Sequence, residues 1–125
     1  MVQLFNKRRR PIDSIMNPNP PEIPSDNTAK QAAKLMVDRD ASQIVVIENN
    51  EPKWILDISK ITPDALKNDK PIMELPLFPV NTVQSGAEIS TVLDSIKSFP
   101  FIVTEDKDKK KVKGIVTAQD VSKAL

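Results

Sequence analysis

The sequence contains neither cysteine nor histidine. Without cysteine, the chain has no disulfide, no thiol nucleophile and no thiolate ligand for a metal ion. Without histidine, it has no Ser-His-Asp or Cys-His arrangement and no imidazole ligand for a metal. These absences predict that the protein has no metal site, and they favour a cytoplasmic location.

Glycine is scarce as well, because Gly86 and Gly114 are the only two in 125 residues. The G-x-x-x-x-G-K-[ST] phosphate loop and the G-x-G-x-x-G dinucleotide turn both need closely spaced glycines, so neither motif is present. Nothing in the sequence marks a pair of carboxylates for acid–base catalysis. We therefore expect a protein that is not an enzyme and that requires no cofactor.

Long apolar runs and an excess of one charge are also missing. No segment approaches the ~20 apolar residues that span a bilayer, and the first residues lack the apolar centre of a signal peptide. The net charge of +1 gives no reason to expect nucleic acid or a membrane surface as a partner. The run KRRR at 7–10 has no interleaved aromatic residues, so residues 1–10 are predicted to form a basic arm that is solvated or docks on a dimer mate.

What the sequence does contain is an internal repeat. A hydrophobic content of 39% and a charged content of 28% are typical of a folded domain, and each half of the chain resembles the other. At a shift of 57 residues, changing to 60 after three extra residues, the aligned pairs are Ile15-Met16 with Ile72-Met73, Ile23 with Val80, Thr28 with Ser85, 44–48 with 101–105, and Trp54–Leu56 with Gly114–Val116. We assign the repeats to residues 11–67 and 68–125.

Each repeat predicts the order β-α-β-β-α. The fold class is therefore α+β (α/β-like), with two repeats packed about a pseudo-twofold axis and a cleft between them. The first helices are expected to begin at the capping patterns Thr28-x-x-Gln31 and Ser85-x-x-Glu88. The other predicted features are an apolar helix face at Ile89, Val92, Leu93 and Ile96, strands at Ile44–Ile47, Phe101–Thr104, Trp54–Leu56 and Lys113–Val116, and a separate short helix that begins at Thr62-Pro63.

These segments resemble a cystathionine-β-synthase (CBS) domain pair, also called a Bateman module, from about Pro11 to Leu125. The first half carries the resemblance in PIDSIMNPNPPEIPSDNTAKQAAKLM and IVVIENNEPKWIL, and the second in ELPLFPVNTVQSGAEISTVLDSIKSFPFIVTED and GIVTAQDVSKAL. The resemblance implies a regulatory sensor that binds AMP, ADP, ATP or S-adenosylmethionine between the repeats. It also implies a homodimer and an unidentified regulated protein.

The segment GIVTAQD, residues 114–120, matches every fixed position of the family's nucleotide motif: Gly114, Ile115, Thr117 and Asp120. The resemblance implies that the hydroxyl and the carboxylate bind the ribose. The further candidate contacts are Pro79, Val80 and Asn81, which correspond to the segment that lines the base pocket, and Pro100, before the second strand. Thr-x-x-Asp also fits a helix capping box, and one residue pair can serve both purposes.

The first repeat departs from the motif, with Trp54, Asp57 and Lys60 in place of glycine, Thr or Ser, and Asp. This first site is expected to be degenerate. Trp54 either packs in the core or fills the position of the adenine base. Asp57 and Lys60 are either a helix cap and an exposed cation, respectively, or together form the basis of a different anion site. One alternative function is a structural dimerisation module with vestigial sites. Another is nucleic-acid binding through KRRR, which would weaken steeply with salt.

Overall fold

The computed structural model describes residues 7–95, 100–105 and 110–125 and has a mixed α+β architecture. The strands are β1 (Asn17–Pro18), β2 (Glu22–Pro24), β3 (Gln43–Glu48), β4 (Glu51–Asp57), β5 (Phe78–Pro79), β6 (Asn81–Gln84), β7 (Phe101–Thr104) and β8 (Val112–Val116). The helices are α1 (Ala29–Asp38), α2 (Pro63–Lys67), α3 (Ser90–Leu93) and α4 (Ala118–Ala124), and 3-10 turns span Ile12–Ser14, Ile58–Lys60 and Ile72–Glu74. The predicted fold class and all four predicted strands are confirmed.

The strands form two four-stranded sheets, one in each of two compact units. The unit Pro20–Pro79 has the strand order β2-β3-β4-β5, and the unit made of Met1–Asn19 and Val80–Leu125 has the order β1-β8-β7-β6. In each sheet one pair is parallel, β2 with β3 or β6 with β7, and the remaining pairs are antiparallel. We call these the 20–79 unit and the 80–125 unit.

Each unit has its own apolar core, to which both central strands of its sheet contribute. All four residues of β7 are buried, as expected for a strand that is covered on both faces. The core of the 20–79 unit contains Ile23, Ala29, Ala32, Met36, Ile44, Val46, Leu56, Ala65, Ile72 and Leu75. The core of the 80–125 unit contains Ile12, Val83, Ile89, Val92, Phe101, Val103, Val116 and Val121.

The turn at the start of each sequence repeat contributes a fully buried isoleucine to the unit formed mainly by the other repeat. Ile12 belongs to the 80–125 core, and its N–H donates to the carbonyl of Ala87 at 2.7 Å. Ile72 belongs to the 20–79 core, and its N–H donates to the carbonyl of Asn27 at 2.9 Å. Each core therefore requires a segment from the beginning of the other repeat.

These backbone contacts correct the alignment of the two repeats. Ala29 N–H donates to Lys70 O at 2.7 Å, and Ile89 N–H donates to Arg10 O at 2.9 Å. Both donor positions and both acceptor positions are related by a shift of 60, as are the bridges Thr28↔Pro71 and Pro11↔Glu88. The shift of 57 holds for β3 and β7 but is wrong for the preceding turn, strand and helix start.

The correction explains why one predicted helix cap is wrong and another is right. Thr28 begins α1, and its N–H donates to Gln31 Oε1 at 2.8 Å in a capping box. Ser85, in contrast, lies five residues before α3 and donates its hydroxyl to Asp13 Oδ2 at 2.6 Å. At a shift of 60, Thr28 corresponds to Glu88 rather than to Ser85.

Two further expectations concern helices. Thr62 begins the short helix α2 and accepts a hydrogen bond from Ala65 N–H at 3.1 Å, which confirms the predicted break before Pro63. Ile89, directly before α3, and Val92, within it, are buried, and Leu93 packs against the same core, as the amphipathic pattern predicts. Ile96 lies outside the described residues.

The N-terminal turn is fixed to the 80–125 unit by Asp13. Its carboxylate accepts hydrogen bonds from the Ser85 hydroxyl and from Gly86 N–H at 2.7 Å, and it pairs with Lys113 Nζ at 2.8 Å. Burial raises the pKa of the carboxyl, but the bonds from Lys113, Ser85 and Gly86 together outweigh it and lower the pKa to about 2. The ordinary value is 3.8.

This pKa shift predicts an acid-sensitive contribution to stability. Because the folded-state pKa is lowered, the ionised Asp13 stabilises the fold above about pH 4, and the stabilisation is lost as the pH falls towards 2. The contribution is about 2 kcal/mol. Urea unfolding of the wild type and of Asp13→Asn at several pH values between 2 and 7 measures it. The stability difference should shrink below pH 4, and parallel pH profiles would contradict the assignment.

Candidate functional site

Thr117 and Asp120 lie where β8 ends and α4 begins. Thr117 has an extended backbone (φ −99°, ψ 165°), and its Oγ1 accepts a hydrogen bond from Asp120 N–H at 3.2 Å. In return, Asp120 Oδ2 accepts bonds from Thr117 N–H at 2.8 Å and from the Thr117 hydroxyl at 2.9 Å. The capping-box interpretation of this pair is therefore confirmed.

The capping bonds use only one oxygen of the Asp120 carboxylate. Oδ2 accepts a third hydrogen bond, from Asn17 Nδ2 at 3.3 Å. Among the described residues, none donates to Oδ1. The residue is half-buried, and one of its two carboxylate oxygens has no donor in the described part of the chain.

Gly114 is buried in β8, the strand that lies beside β1 in the sheet. It lies opposite Pro18 in the β1–β8 pair. A Cβ atom built on Gly114 would overlap Met16 Sδ, would lie 2.8 Å from Met16 Cγ and would be 3.0 Å from the carbonyl oxygen of Asn17. The glycine is therefore required for the close approach of residues 16–17, whatever else approaches it.

This close approach predicts that Gly114→Ala destabilises the protein by about 1–3 kcal/mol, the usual cost of overfilling a packed site. The extra methyl group must displace both the Met16 side chain and the β1 backbone. Chemical denaturation measures the cost. It should be smaller when the same change is made in a Met16→Ala background, and an equal cost in both backgrounds would contradict the packing explanation.

The other candidate contacts are distributed over both units. In the 80–125 unit, Ile115 is buried, Val80 is half-buried before β6, Asn81 is exposed at the start of β6, and Pro100 is half-buried before β7. Pro79 belongs to the 20–79 unit, where it pairs with Trp54. On the side of β8 away from β7, Ile115 pairs with Asn17 and Gly114 pairs with Pro18.

Asn17 was not predicted as a site residue, because the alignment at 57 residues matches it with Glu74, which is far in sequence from both motifs. The available signal was the proline spacing: Asn17-Pro18 and Phe78-Pro79 each precede a short strand and each pair with the strand that carries the motif. Recognising those two dipeptides as equivalent would have located Asn17 next to Gly114 and Ile115.

In the first repeat, Trp54 packs against the 20–79 core at the position that corresponds to Gly114. The packing interpretation of this residue agrees with its contacts. Its Nε1 atom is buried and has no hydrogen-bond acceptor within the described parts of the chain.

Asp57 and Lys60, at the positions of Thr117 and Asp120, make different contacts. Asp57 Oδ1 accepts bonds from Ser59 N–H at 2.9 Å and from the Ser59 hydroxyl at 2.8 Å, and Oδ2 accepts one from Gln43 Nε2 at 3.2 Å. Burial raises the pKa of Asp57, but these bonds and the nearby Lys60 charge lower it overall. Lys60 Nζ lies 5.9 Å from the centre of the Phe78 ring.

The basic segment at 7–10 is partly engaged with the 80–125 unit. Lys7 Nζ donates to the carbonyl of Leu125 at 3.4 Å, and the carbonyl of Arg10 accepts the Ile89 N–H. The side chains of residues 8–10 are exposed. Residues 1–6 of the predicted arm lie outside the described part of the chain.

Two similar units with matching strand orders define the chain as a tandem-repeat α+β module. The sequence model of the CBS domain matches residues 12–53 and 71–125, which together make up most of the chain. The protein therefore belongs to the CBS domain family, as the sequence resemblance predicted. CBS domain pairs are generally regulatory modules.

Solved structures of CBS domains share the fold. The CBS domain of the bacterial CNNM/CorC family Mg2+ transporter in complex with ATP is 16% identical, with a TM-score of 0.76 over 98% of this chain and 92% of that chain. The CBS domain of a membrane protein from Sphaerobacter thermophilus is 17% identical, with a TM-score of 0.79 over 99% and 93% of the two chains. The CBS domain pair of protein MJ0100, in complex with 5-methylthioadenosine and S-adenosyl-L-methionine, is 20% identical, with a TM-score of 0.69 over 91% and 94%.

No curated protein matches the sequence. Within the described ranges, no helix has the length and apolar character needed to cross a membrane.

Proposed function

We propose that the protein is a non-catalytic sensor that binds an adenine nucleotide or another adenosine derivative at the second-repeat motif. AMP, ADP, ATP and S-adenosylmethionine are the candidate ligands. Asp120 and Thr117 would bind the ribose, and ligand binding would regulate a partner protein through its different affinities for two arrangements of the module.

The single observation that carries the proposal is that the hydrogen bonds from the described residues to the Asp120 carboxylate all go to one of its two oxygens. Its Oδ2 is oriented by Thr117 and Asn17, whereas no described residue donates to Oδ1. A ribose diol supplies two hydroxyl donors, and hydrogen bonds to an ionised carboxylate are about twice as strong as neutral ones. The capping box and a ribose contact are compatible, since they use different oxygens.

The first-repeat motif supplies a contrast that supports a single site. Every oxygen of the Asp57 carboxylate already accepts a hydrogen bond, and the position of Asp120 is taken by the cation Lys60. A cation cannot accept a bond from a hydroxyl group. We therefore propose that the adenosine compound binds at one motif only.

Thermal unfolding with AMP, ADP, ATP or S-adenosylmethionine, each at 1 mM, tests the proposal. A compound at about 100 times its dissociation constant adds about 2.7 kcal/mol to the stability, or several degrees in Tm for a domain of this size. A rise with at least one compound supports the proposal. If none of the four changes the Tm, the proposed function fails.

A structural dimerisation module is the second candidate, and one observation favours it. The side chains of both motifs are engaged in local caps, Thr117 with Asp120 and Asp57 with Ser59. A scaffold would sediment as a dimer with or without adenosine compounds. We propose a homodimer under both functions, and we propose a cytoplasmic location because the chain contains no cysteine.

A further inference from the structure

We propose that Asn17 is a positioning residue of the second-repeat site. Its amide holds the Asp120 carboxylate in the orientation that presents Oδ1 to the ligand. The inference deepens the proposed function and rests on it. It assigns a role in the second-repeat site to a side chain from the beginning of the first repeat.

Asn17 lies in the sheet beside β8, the strand that carries the motif. Asn17 pairs with Ile115, and the next residue of the chain, Pro18, pairs with Gly114. Farther along, Asn19 N–H donates to Lys113 O at 3.1 Å, which extends the pairing of this segment with β8. The Asn17 backbone is therefore fixed beside the strand that leads directly into the Thr117–Asp120 cap.

From the described residues, the Asp120 carboxylate accepts its hydrogen bonds on one oxygen only. Thr117 N–H, the Thr117 hydroxyl and the Asn17 amide all donate to the same oxygen, Oδ2. The two donors of Thr117 come from the residue that Asp120 caps, whereas the Asn17 amide comes from another strand. The amide thus braces the carboxylate from a second direction and opposes rotation about its Cβ–Cγ bond.

The first repeat has an interaction between the corresponding two positions, but the residue types differ. Phe78 pairs with Ile55 as Asn17 pairs with Ile115, and Lys60 occupies the position of Asp120. Lys60 Nζ lies 5.9 Å from the Phe78 ring centre, a cation–aromatic contact. In both repeats the side chain from the short edge strand interacts with the last residue of the motif. The second repeat pairs an amide with a carboxylate, and the first pairs an aromatic ring with an ammonium group.

A double-mutant cycle tests the contact without any ligand. Asn17→Ala is expected to lower the folding equilibrium constant about 3-fold more in the wild-type background than in an Asp120→Ala background. Asn68→Ala provides the matched control, because Asn68 Nδ2 donates to Asp64 Oδ1 at 2.8 Å in the other unit. Its effect should be equal in both backgrounds. Equal effects of Asn17→Ala in the two backgrounds would overturn the inference.

Calorimetric titration with AMP, ADP, ATP and S-adenosylmethionine then tests the positioning role. Asn17→Ala should weaken binding about 3- to 10-fold, as expected for one lost hydrogen bond. Asn17→Asp should weaken it more than about 10-fold, because a second carboxylate repels Asp120. Asn68→Ala should bind like the wild type.

The outcomes separate this inference from the proposed function. If the wild type binds a compound and both Asn17 variants bind it equally well, the inference is overturned while the proposed function stands. If the wild type binds none of the four compounds, the proposed function fails, and the inference that rests on it fails too. If Asn17→Ala binds the compound more weakly than the wild type but is as stable as Asn68→Ala, the weaker binding supports a positioning role and not a general loss of structure.

Discussion

Ile12→Ala is expected to destabilise the protein by about 2–5 kcal/mol, the range for removing a fully buried isoleucine side chain. The effect is large because Ile12 is fully buried in the core of the 80–125 unit, although it lies almost 70 residues before the second segment of that unit, Val80–Leu125. Ile72→Ala should cost a similar amount, because Ile72 is equally buried in the core of the 20–79 unit. Urea denaturation followed by circular dichroism measures both costs.

Ile58→Ala is the control for this prediction. Ile58 is 43% exposed and lies outside both cores, so its replacement should cost less than about 1 kcal/mol. If Ile12→Ala were as mild as Ile58→Ala, the N-terminal turn would not be part of the 80–125 core.

Asp120→Asn is expected to weaken binding of the adenosine compound about 10- to 100-fold, which corresponds to losing charge-assisted hydrogen bonds to the ribose. The substitution keeps an oxygen that can accept the Thr117 N–H bond, so the start of α4 is retained. What changes is the charge of the group and its capacity to accept from two hydroxyls. Calorimetric titration of the compound that gives the largest thermal shift measures the difference.

The first-repeat capping box offers the matched control for Asp120→Asn. Gln31 holds the same third position in α1, where its side chain accepts Thr28 N–H at 2.8 Å. Gln31→Ala should lower stability by about 0.5–1.5 kcal/mol, as expected for one lost hydrogen bond, and leave the affinity unchanged. If Asp120→Asn also left the affinity unchanged, Asp120 would be a helix cap alone.

The local structure could be predicted because each signal lies within one short segment. The β-branched run at 44–47 and the run at 101–104 are long enough and apolar enough to identify the central strands, which the structure places at β3 and β7. Thr62-Pro63 and Thr28-x-x-Gln31 identify helix starts because cap and helix are adjacent in sequence. The CBS resemblance, which depends on these segments in combination, is confirmed by the family match.

Long-range pairing could not be predicted from the same signals. Ser85 looks like a cap, but its hydroxyl donates to Asp13 and accepts from Lys113, both distant in sequence, and α3 begins at Ser90. The resemblance of Ile15-Met16 to Ile72-Met73 favoured a shift of 57, whereas the backbone bonds of Ala29 and Ile89 require 60. Because the alignment used the shift of 57 for this segment, the contact between Asn17 and Asp120 could not be predicted from the sequence.

The central claim is that an adenosine compound binds at the second-repeat motif, and amide chemical shifts measured during a titration test it most directly. A 15N-labelled sample would be titrated separately with AMP, ADP, ATP and S-adenosylmethionine. We predict that at least one compound shifts the amide signals of Gly114, Thr117, Asp120 and Asn17 while those of Trp54, Asp57 and Lys60 stay in place. Shifts confined to the first-repeat residues, or no saturable shift with any of the four compounds, would contradict the account.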